Sequence, residues 1–270
     1  MPQQIAQFKD KVFAHYNDFG RKNLPWRLDF RPWGVLVSEF MLQQTQIERV
    51  IPYWERWMTQ WPDARALSSA ALEEALRMWS GLGYNRRGRA LWECSRQICE
   101  KYSGEVPRTP EELITLPGIG PYSSGAIACF AWNYPAIFIE TNIRAALIGF
   151  FFAGKETVHD NELIPLLEAA LDWENPRLWY WALMDYGSAL KKTTPNPNRR
   201  SAHYARQSRF EGSFRQLRSA LLRELLAVGP VRATALRKRT GLDNDEFRRV
   251  TASLIKDQMI CCRNGVYMIP

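Results

Sequence analysis

The chain has 270 residues, 46% of them hydrophobic and 13% aromatic with eleven Trp. That length can bury a sizeable core as one large or two modest domains, and that composition excludes a disordered chain. A net charge of +8 with a pI of about 9.4 favours a polyanionic partner, nucleic acid or an anionic membrane, over an acidic one; an inert basic surface is the plain alternative.

The first residues, Met1-Pro2-Gln3-Gln4-Ile5, lack the apolar core of a signal peptide, and the longest apolar run, 145–153, is too short to span a bilayer. No membrane association is expected. The cysteines, Cys94, Cys99, Cys129, Cys261 and Cys262, are odd in number and follow no zinc or iron–sulfur spacing. Free thiols in a cytoplasmic protein are expected.

Residues 5–18 carry an amphipathic helical pattern. Leu24-Pro25-Trp26-Arg27 follows, readable as an aromatic packing corner with a surface arginine. In 33–41 the apolar run is broken by Ser38 and Glu39. A carboxylate inside an apolar helix is rare unless paired or functional, and desolvation would raise its pKa and keep a proton available near neutral pH. A structural ion pair is the competing reading. Ser38 to Gln46 reads Ser-Glu-Phe-Met-Leu-Gln-Gln-Thr-Gln. Helices are predicted over 48–60, 64–79 and 88–102, with Gly81-Leu82-Gly83-Tyr84-Asn85-Arg86-Arg87 as a turn whose arginines could meet phosphate.

Thr109, followed by Pro110 and by Glu112 three residues on, is a capping signal. The helix it starts leads into Leu116-Pro117-Gly118-Ile119-Gly120-Pro121-Tyr122. Pro117 ends the incoming helix, and Gly118 and Gly120 allow a tight turn at positive φ with bare amides before the next helix. Such a corner is a ready phosphate site, or simply a tight helix–helix turn. Ile139-Glu140-Thr141-Asn142 lies about twenty residues on, and Glu140 is readable as an N-cap or ion-pair residue. Helices are predicted over 159–172 and 176–190, the second carrying Trp181-Ala182-Leu183-Met184-Asp185-Tyr186-Gly187. Lys191 to Ser219 then holds eight Lys or Arg against one acid, Glu211: a solvated face or a phosphate-binding segment.

The tail reads as helices over 214–228, 231–240 and 243–257, with Asp243 and Glu246 as a capping box. Two short strands, 259–262 and 266–269, flank Asn264-Gly265, a strong hairpin signal. Three helices and a hairpin resemble a winged helix. Arg237, Lys238, Arg239, Arg248, Arg249 and Lys256 could touch phosphate there, or the tail could be a packing or dimer-forming module.

From about residue 6 to 210 these motifs resemble the HhH-GPD superfamily of base-excision DNA glycosylases, most closely its adenine DNA glycosylase (MutY) branch. The resemblance implies an all-α helix-hairpin-helix glycosylase fold, with a core over 1–210 in two helical lobes and a small winged-helix-like domain over 211–270. It implies a DNA N-glycosylase in which Glu39 protonates the base and Glu140 stabilises the sugar cation. Tyr122 and Asn142 hold the geometry, and Trp26, Arg27 and Asp185 wall the base pocket. DNA-binding roles fall on Gln43, Gln44, Arg86, Arg87, Gly118, Gly120, Lys191, Lys192, Arg199 and Arg200. Tyr122 stands where bifunctional relatives carry a Schiff-base lysine, which implies base removal without efficient strand cleavage. The implied partner is double-stranded DNA with a lesion or mismatch, bound by a monomer.

Four departures stand out. The branch has an aromatic where this chain has Asn85, and Asp where it has Glu140. The C-x6-C-x2-C-x5-C positions of its [4Fe–4S] cluster read Lys191, Asn198, Ser201 and Gln207, so no cofactor is expected. The tail is too short and differently patterned for the branch's Nudix-like domain. Adenine excision is therefore the expected activity, with two alternatives open: a glycosylase retargeted to mismatched or modified thymine, uracil or a deaminated purine, and a catalytically weak DNA-binding protein on this scaffold.

Overall fold

The computed structural model describes residues 2–193, 195–205 and 209–270. In chain order the helices are α1 (Pro2–Phe19), α2 (Pro25–Leu28), α3 (Pro32–Leu42), α4 (Ile47–Gln60), α5 (Ala64–Ser68), α6 (Leu72–Trp79), α7 (Arg86–Tyr102) and α8 (Pro110–Leu113). They continue as α9 (Pro121–Trp132), α10 (Thr141–Phe151), α11 (Asp160–Ala170), α12 (Pro176–Thr193), α13 (Phe214–Val228), α14 (Ala233–Thr240) and α15 (Asn244–Lys256). A 3-10 turn spans Pro197–Arg200, and three short strands are β1 (Val231–Arg232), β2 (Cys261–Arg263) and β3 (Val266–Met268). The span 64–79, expected as one helix, is two. The Ser68 and Ser69 hydroxyls both donate to the Arg65 carbonyl, at 2.8 and 3.0 Å, and such local bonds compete with the helical ladder.

The chain forms two compact units: Met1–Val35, Pro107–Thr115 and Ile119–Arg206 in one, Leu36–Val106, Leu116–Gly118 and Gln207–Pro270 in the other. In the first, α1 places Ile5, Phe8, Val12 and Tyr16 on one buried stripe against α11 and α12. Its central element is α10, whose Ile143 and Ala145 to Ile148 are all fully buried. A helix apolar nearly all round belongs inside, and α10 is packed by α11, α12 and the 3-10 turn. A Cβ at Gly187 of α12 would collide with the Asn142 carbonyl, so glycine alone permits this approach of α12 to α10. Phe138 stacks on Tyr180 at 4.0 Å between centroids, and the Tyr180 hydroxyl donates to Ala136 O at 2.9 Å.

In the second unit α5, α6 and α7 pack together, and α6 also meets α13. The tail's core is Leu221, Leu222, Leu225 and Leu226 of α13, Leu236 of α14, and Val250 and Leu254 of α15. Leu72 and Leu76 of α6 belong to the same core. Residues 211–270 thus share a compact unit, and part of its core, with 36–106. β3 lies between β1 and β2, antiparallel to both. The β2–β3 turn is Asn264-Gly265, both at positive φ, as a two-residue hairpin requires.

Candidate active site and DNA interface

Glu140 begins α10. Its backbone is extended, at φ −120° and ψ 179°, and its carboxylate accepts the amides of Asn142 at 2.6 Å and Ile143 at 2.8 Å. Asn142 Nδ2 donates to the other oxygen at 3.1 Å. The bonds that satisfy the helix end also fix the carboxylate in place. Burial pushes the Glu140 carboxyl up from its ordinary value, against the amides, the Asn142 side chain and the charge of Lys191. Burial in turn lowers the half-buried Lys191. Tyr122, in the first turn of α9, is half-buried with its ring edge-on to Phe138 at 5.7 Å.

The segment after α12 is tied to α10 at both ends. Asn198, buried in the 3-10 turn, donates Nδ2 to Thr141 O at 2.8 Å, one residue from Glu140. At the other end Arg200 donates to the carbonyls of Phe152 and, at 3.2 Å, Ile148. Both carbonyls also accept a backbone amide, Ile148 O from Phe152 and Phe152 O from Lys155, each at 3.3 Å. Lys192 and Arg199 are exposed. A [4Fe–4S] cluster does not fit this segment. Lys191 offers an ammonium, Asn198 is engaged with Thr141, and the Ser201 hydroxyl oxygen accepts the His203 amide at 3.1 Å. Gln207 lies outside the described residues. Among the described residues no three His, Cys, Asp or Glu side chains gather as a metal site.

Arg27 and Asp185 meet. Arg27 is forked onto the Asp185 carboxylate at 2.8 and 3.0 Å, 5.3 Å from the Trp181 ring, with both charged residues buried. Arg21, which carries no local sequence signal, adds its backbone amide at 2.8 Å and its Nε at 2.7 Å to the same carboxylate. Burial acts to raise Asp185, and the bonds and charges of the two arginines outweigh it and hold the carboxyl below the usual range. Trp26, on α2, is buried as well.

Glu39 sits in α3 at 6% exposure. Beyond α3, Gln43 is half-buried and Gln44 is exposed with φ +56°, a conformation that costs a non-glycine residue energy and gathers at functional loops. Arg87 accounts for the shape of this loop. Its guanidinium donates to Phe40 O at 2.9 Å, Met41 O at 3.1 Å, Gln43 O, Thr45 Oγ1 at 3.0 Å and Gly83 O at 3.3 Å. It also lies 5.3 Å from the Tyr84 ring, and Tyr84 too has positive φ, +48°. Arg87 braces the 43–45 and 83–84 loops from within. Burial lowers its pKa to about 10, so it stays charged at neutral pH. Arg86 is exposed, 3.7 Å from Asp257.

Of the two glycines expected at positive φ in the 116–120 corner, one has it. Gly118 has φ +80°, and a Cβ there would stand 2.7 Å from the Phe40 ring. Gly120 is the N-cap of α9 at φ −101°, an ordinary conformation with open space around it. Thr109 caps α8, its hydroxyl accepting the Glu112 amide at 3.3 Å, while the Glu112 carboxylate accepts the Thr109 amide at 3.3 Å.

The fold is that of helix-hairpin-helix DNA glycosylases. It matches a thermostable thymine-DNA glycosylase with a TM-score of 0.64 at 23% identity, over 69% of this chain and 87% of that one. It matches endonuclease III in a non-covalent DNA complex with a TM-score of 0.58 at 22% identity, over 68% and 84%. At these identities the likeness is one of fold. Residues 37–165 match the family described as HhH-GPD superfamily base excision DNA repair protein. The chain is 34% identical over 266 residues to the adenine DNA glycosylase of Mycobacterium tuberculosis (strain H37Rv), covering 88% of this chain and 86% of that protein. The chain belongs to the HhH-GPD superfamily. It is also 47% identical over 131 residues to the adenine DNA glycosylase of Mycolicibacterium smegmatis, and 36% identical over 199 residues to the human one. Those alignments cover 47% and 69% of this chain, and only 44% and 36% of the relatives' length.

Proposed function

We propose that the protein is a monofunctional DNA glycosylase that removes adenine from mispaired duplex DNA. The observation that carries this reading is the alignment with a relative of that name across 88% of the chain. Glu39 is the general acid: from its buried place on α3 it protonates the adenine ring of a flipped-out nucleotide and makes the base a better leaving group. As the N-glycosidic bond breaks, positive charge develops on the sugar. The Glu140 carboxylate, held by two amides and Asn142, stabilises that charge. Water adds to the sugar carbon and loses a proton, leaving an abasic site. Tyr122 has no amine with which to form a Schiff base, so the strand is not cut.

Base release from a panel of duplexes with one defined mismatch or lesion each, followed by alkali to reveal abasic sites, tests this. Adenine release opposite guanine or 8-oxoguanine is expected, and Glu39→Gln should lower it by about 10²–10⁴-fold. Unchanged release by E39Q would remove Glu39 from the mechanism. A second reading, release of a different base, is favoured by one observation, the amide of Asn85 where the branch has an aromatic ring. The same panel decides it.

A further inference from the structure

Within the second unit lies a cavity of about 970 Å³, walled by the Gly81–Arg86 loop, one face of α13 and the end of α15. Its lining carries six cations, Arg49, Arg86, Arg215, Arg218, Arg223 and Lys256, against one acid, Asp257. Arg218 is paired with that acid, and Arg86 stands 3.7 Å from it. Arg49 donates to Gly81 O, and Arg215 donates to the Tyr84 hydroxyl. Arg223 and Lys256 are exposed and have no acid partner among the described residues. Arg215, Ser219 and Arg223 recur every four residues, so helix geometry puts their charge and hydroxyl on one face. The rings of Tyr84 and Phe214 and the amide of Asn85 complete the lining.

Cations without an acid partner draw phosphate, aromatic rings offer a stacking surface to any base, and an amide can both donate to and accept from a base edge. The volume lies in the range of pockets that enclose a ligand of this size. We propose that this cavity receives an unstacked nucleotide of the bound DNA, its phosphates on Arg223 and Lys256 and its base among Tyr84, Asn85 and Phe214. The inference rests on the glycosylase reading only in taking DNA as the polymer. It concerns a nucleotide held in the second unit, whereas the chemistry assigned to Glu140 belongs to the first. The tail is then a part of the DNA-binding surface and not a packing module alone.

The test is anisotropy titration of the full-length protein with a short duplex carrying one bulged nucleotide and with its fully paired counterpart, over a range of salt. The wild type should prefer the bulged duplex by about tenfold or more. The double variant Arg223→Glu/Lys256→Glu should lose that preference, and its salt slope on the bulged duplex should fall by about 2, for two phosphates no longer neutralised. Lys101→Glu, an exposed charge on α7 outside the cavity, should change neither. No bulge preference in the wild type, or a preference that survives in the double variant, overturns the proposal. So does full displacement of the bulged duplex by free dAMP, which would make the ligand a free nucleotide. Base release measured in parallel separates the two readings. Bulge preference without base release sinks the glycosylase alone; base release without bulge preference sinks the cavity alone.

Discussion

Two stretches of this chain read alike as basic runs and turn out to be different objects. In 191–201, Arg200 is folded back onto the carbonyls of Ile148 and Phe152, and the charge of Lys191 acts on Glu140. Along α13 and the end of α15, Arg223 and Lys256 face an open cavity. What separates them is whether acceptors lie within reach. The guanidinium of Arg200 joins backbone amides on the carbonyls at the C-terminus of α10. On α13, Arg215 and Arg218 are engaged with Tyr84 and Asp257, while Arg223 has no acid partner among the described residues and is exposed to a ligand. Arg87 and Arg86 repeat the contrast as neighbours: one serves four backbone carbonyls and a hydroxyl, the other is exposed.

The sharpest way to break this distinction is Arg87→Met. It removes the charge and leaves the carbonyls of Phe40, Met41 and Gln43 short of a donor. With about 1–3 kcal/mol for each buried group left unsatisfied, a loss of about 3 kcal/mol or more is expected in denaturant unfolding. Arg223→Met should stay within about 0.5 kcal/mol of wild type, as surface changes do. Equal losses for the two would mean that the inward and outward arginines are not different in kind.

Much of this architecture was legible because its causes are local. Ser213 and Gly229 bound α13 at the residues expected, Asp243 with Glu246 and Thr109 with Glu112 form their capping boxes, and Asn264-Gly265 makes its hairpin turn. Each signal lies within a few residues of its effect. The direction of an arginine does not. All but one of the acceptors of Arg87 lie more than forty residues upstream, and those of Arg200 about fifty, so neither composition nor periodicity encodes them. Gly187 was singled out only as part of a family motif, yet its role is to let α12 meet Asn142, forty-five residues earlier. Glu140 sits between these cases: its N-cap geometry is local, and the charge of Lys191 that acts on it comes from another helix.

The tie between the 191–201 segment and α10 gives a smaller effect. Arg200→Met removes the bonds to the Ile148 and Phe152 carbonyls, each of which keeps a backbone amide, and should cost about 1–2 kcal/mol. Asn198→Ala removes the bond to Thr141 O beside Glu140 and should cost about 1 kcal/mol. If the segment only caps a helix, base release at saturating DNA should be the same in both variants at a temperature where both are folded. If it holds Glu140 in place, the turnover rate should fall in N198A while DNA affinity does not, because the lost alignment is felt in the transition state.

The smallest change is one of pH. In the proposed mechanism Glu140 acts ionised, and burial has already raised its carboxyl. The acid limb of single-turnover base release should therefore lie above the ordinary carboxylate value of about 4.3, with activity lost as pH falls through it. Lys191 opposes that rise, so Lys191→Met removes a charge that favours the anion and should move the limb further up. The same shift carries a stability sign. A carboxyl raised in the folded state contributes stability that is complete below its unfolded pKa and is lost as pH rises through the folded one. K191M should therefore lose more stability than wild type across that interval, read as a steeper fall in melting temperature with rising pH. An acid limb that does not move in K191M would mean that the ionisation limiting the rate belongs to a group other than Glu140.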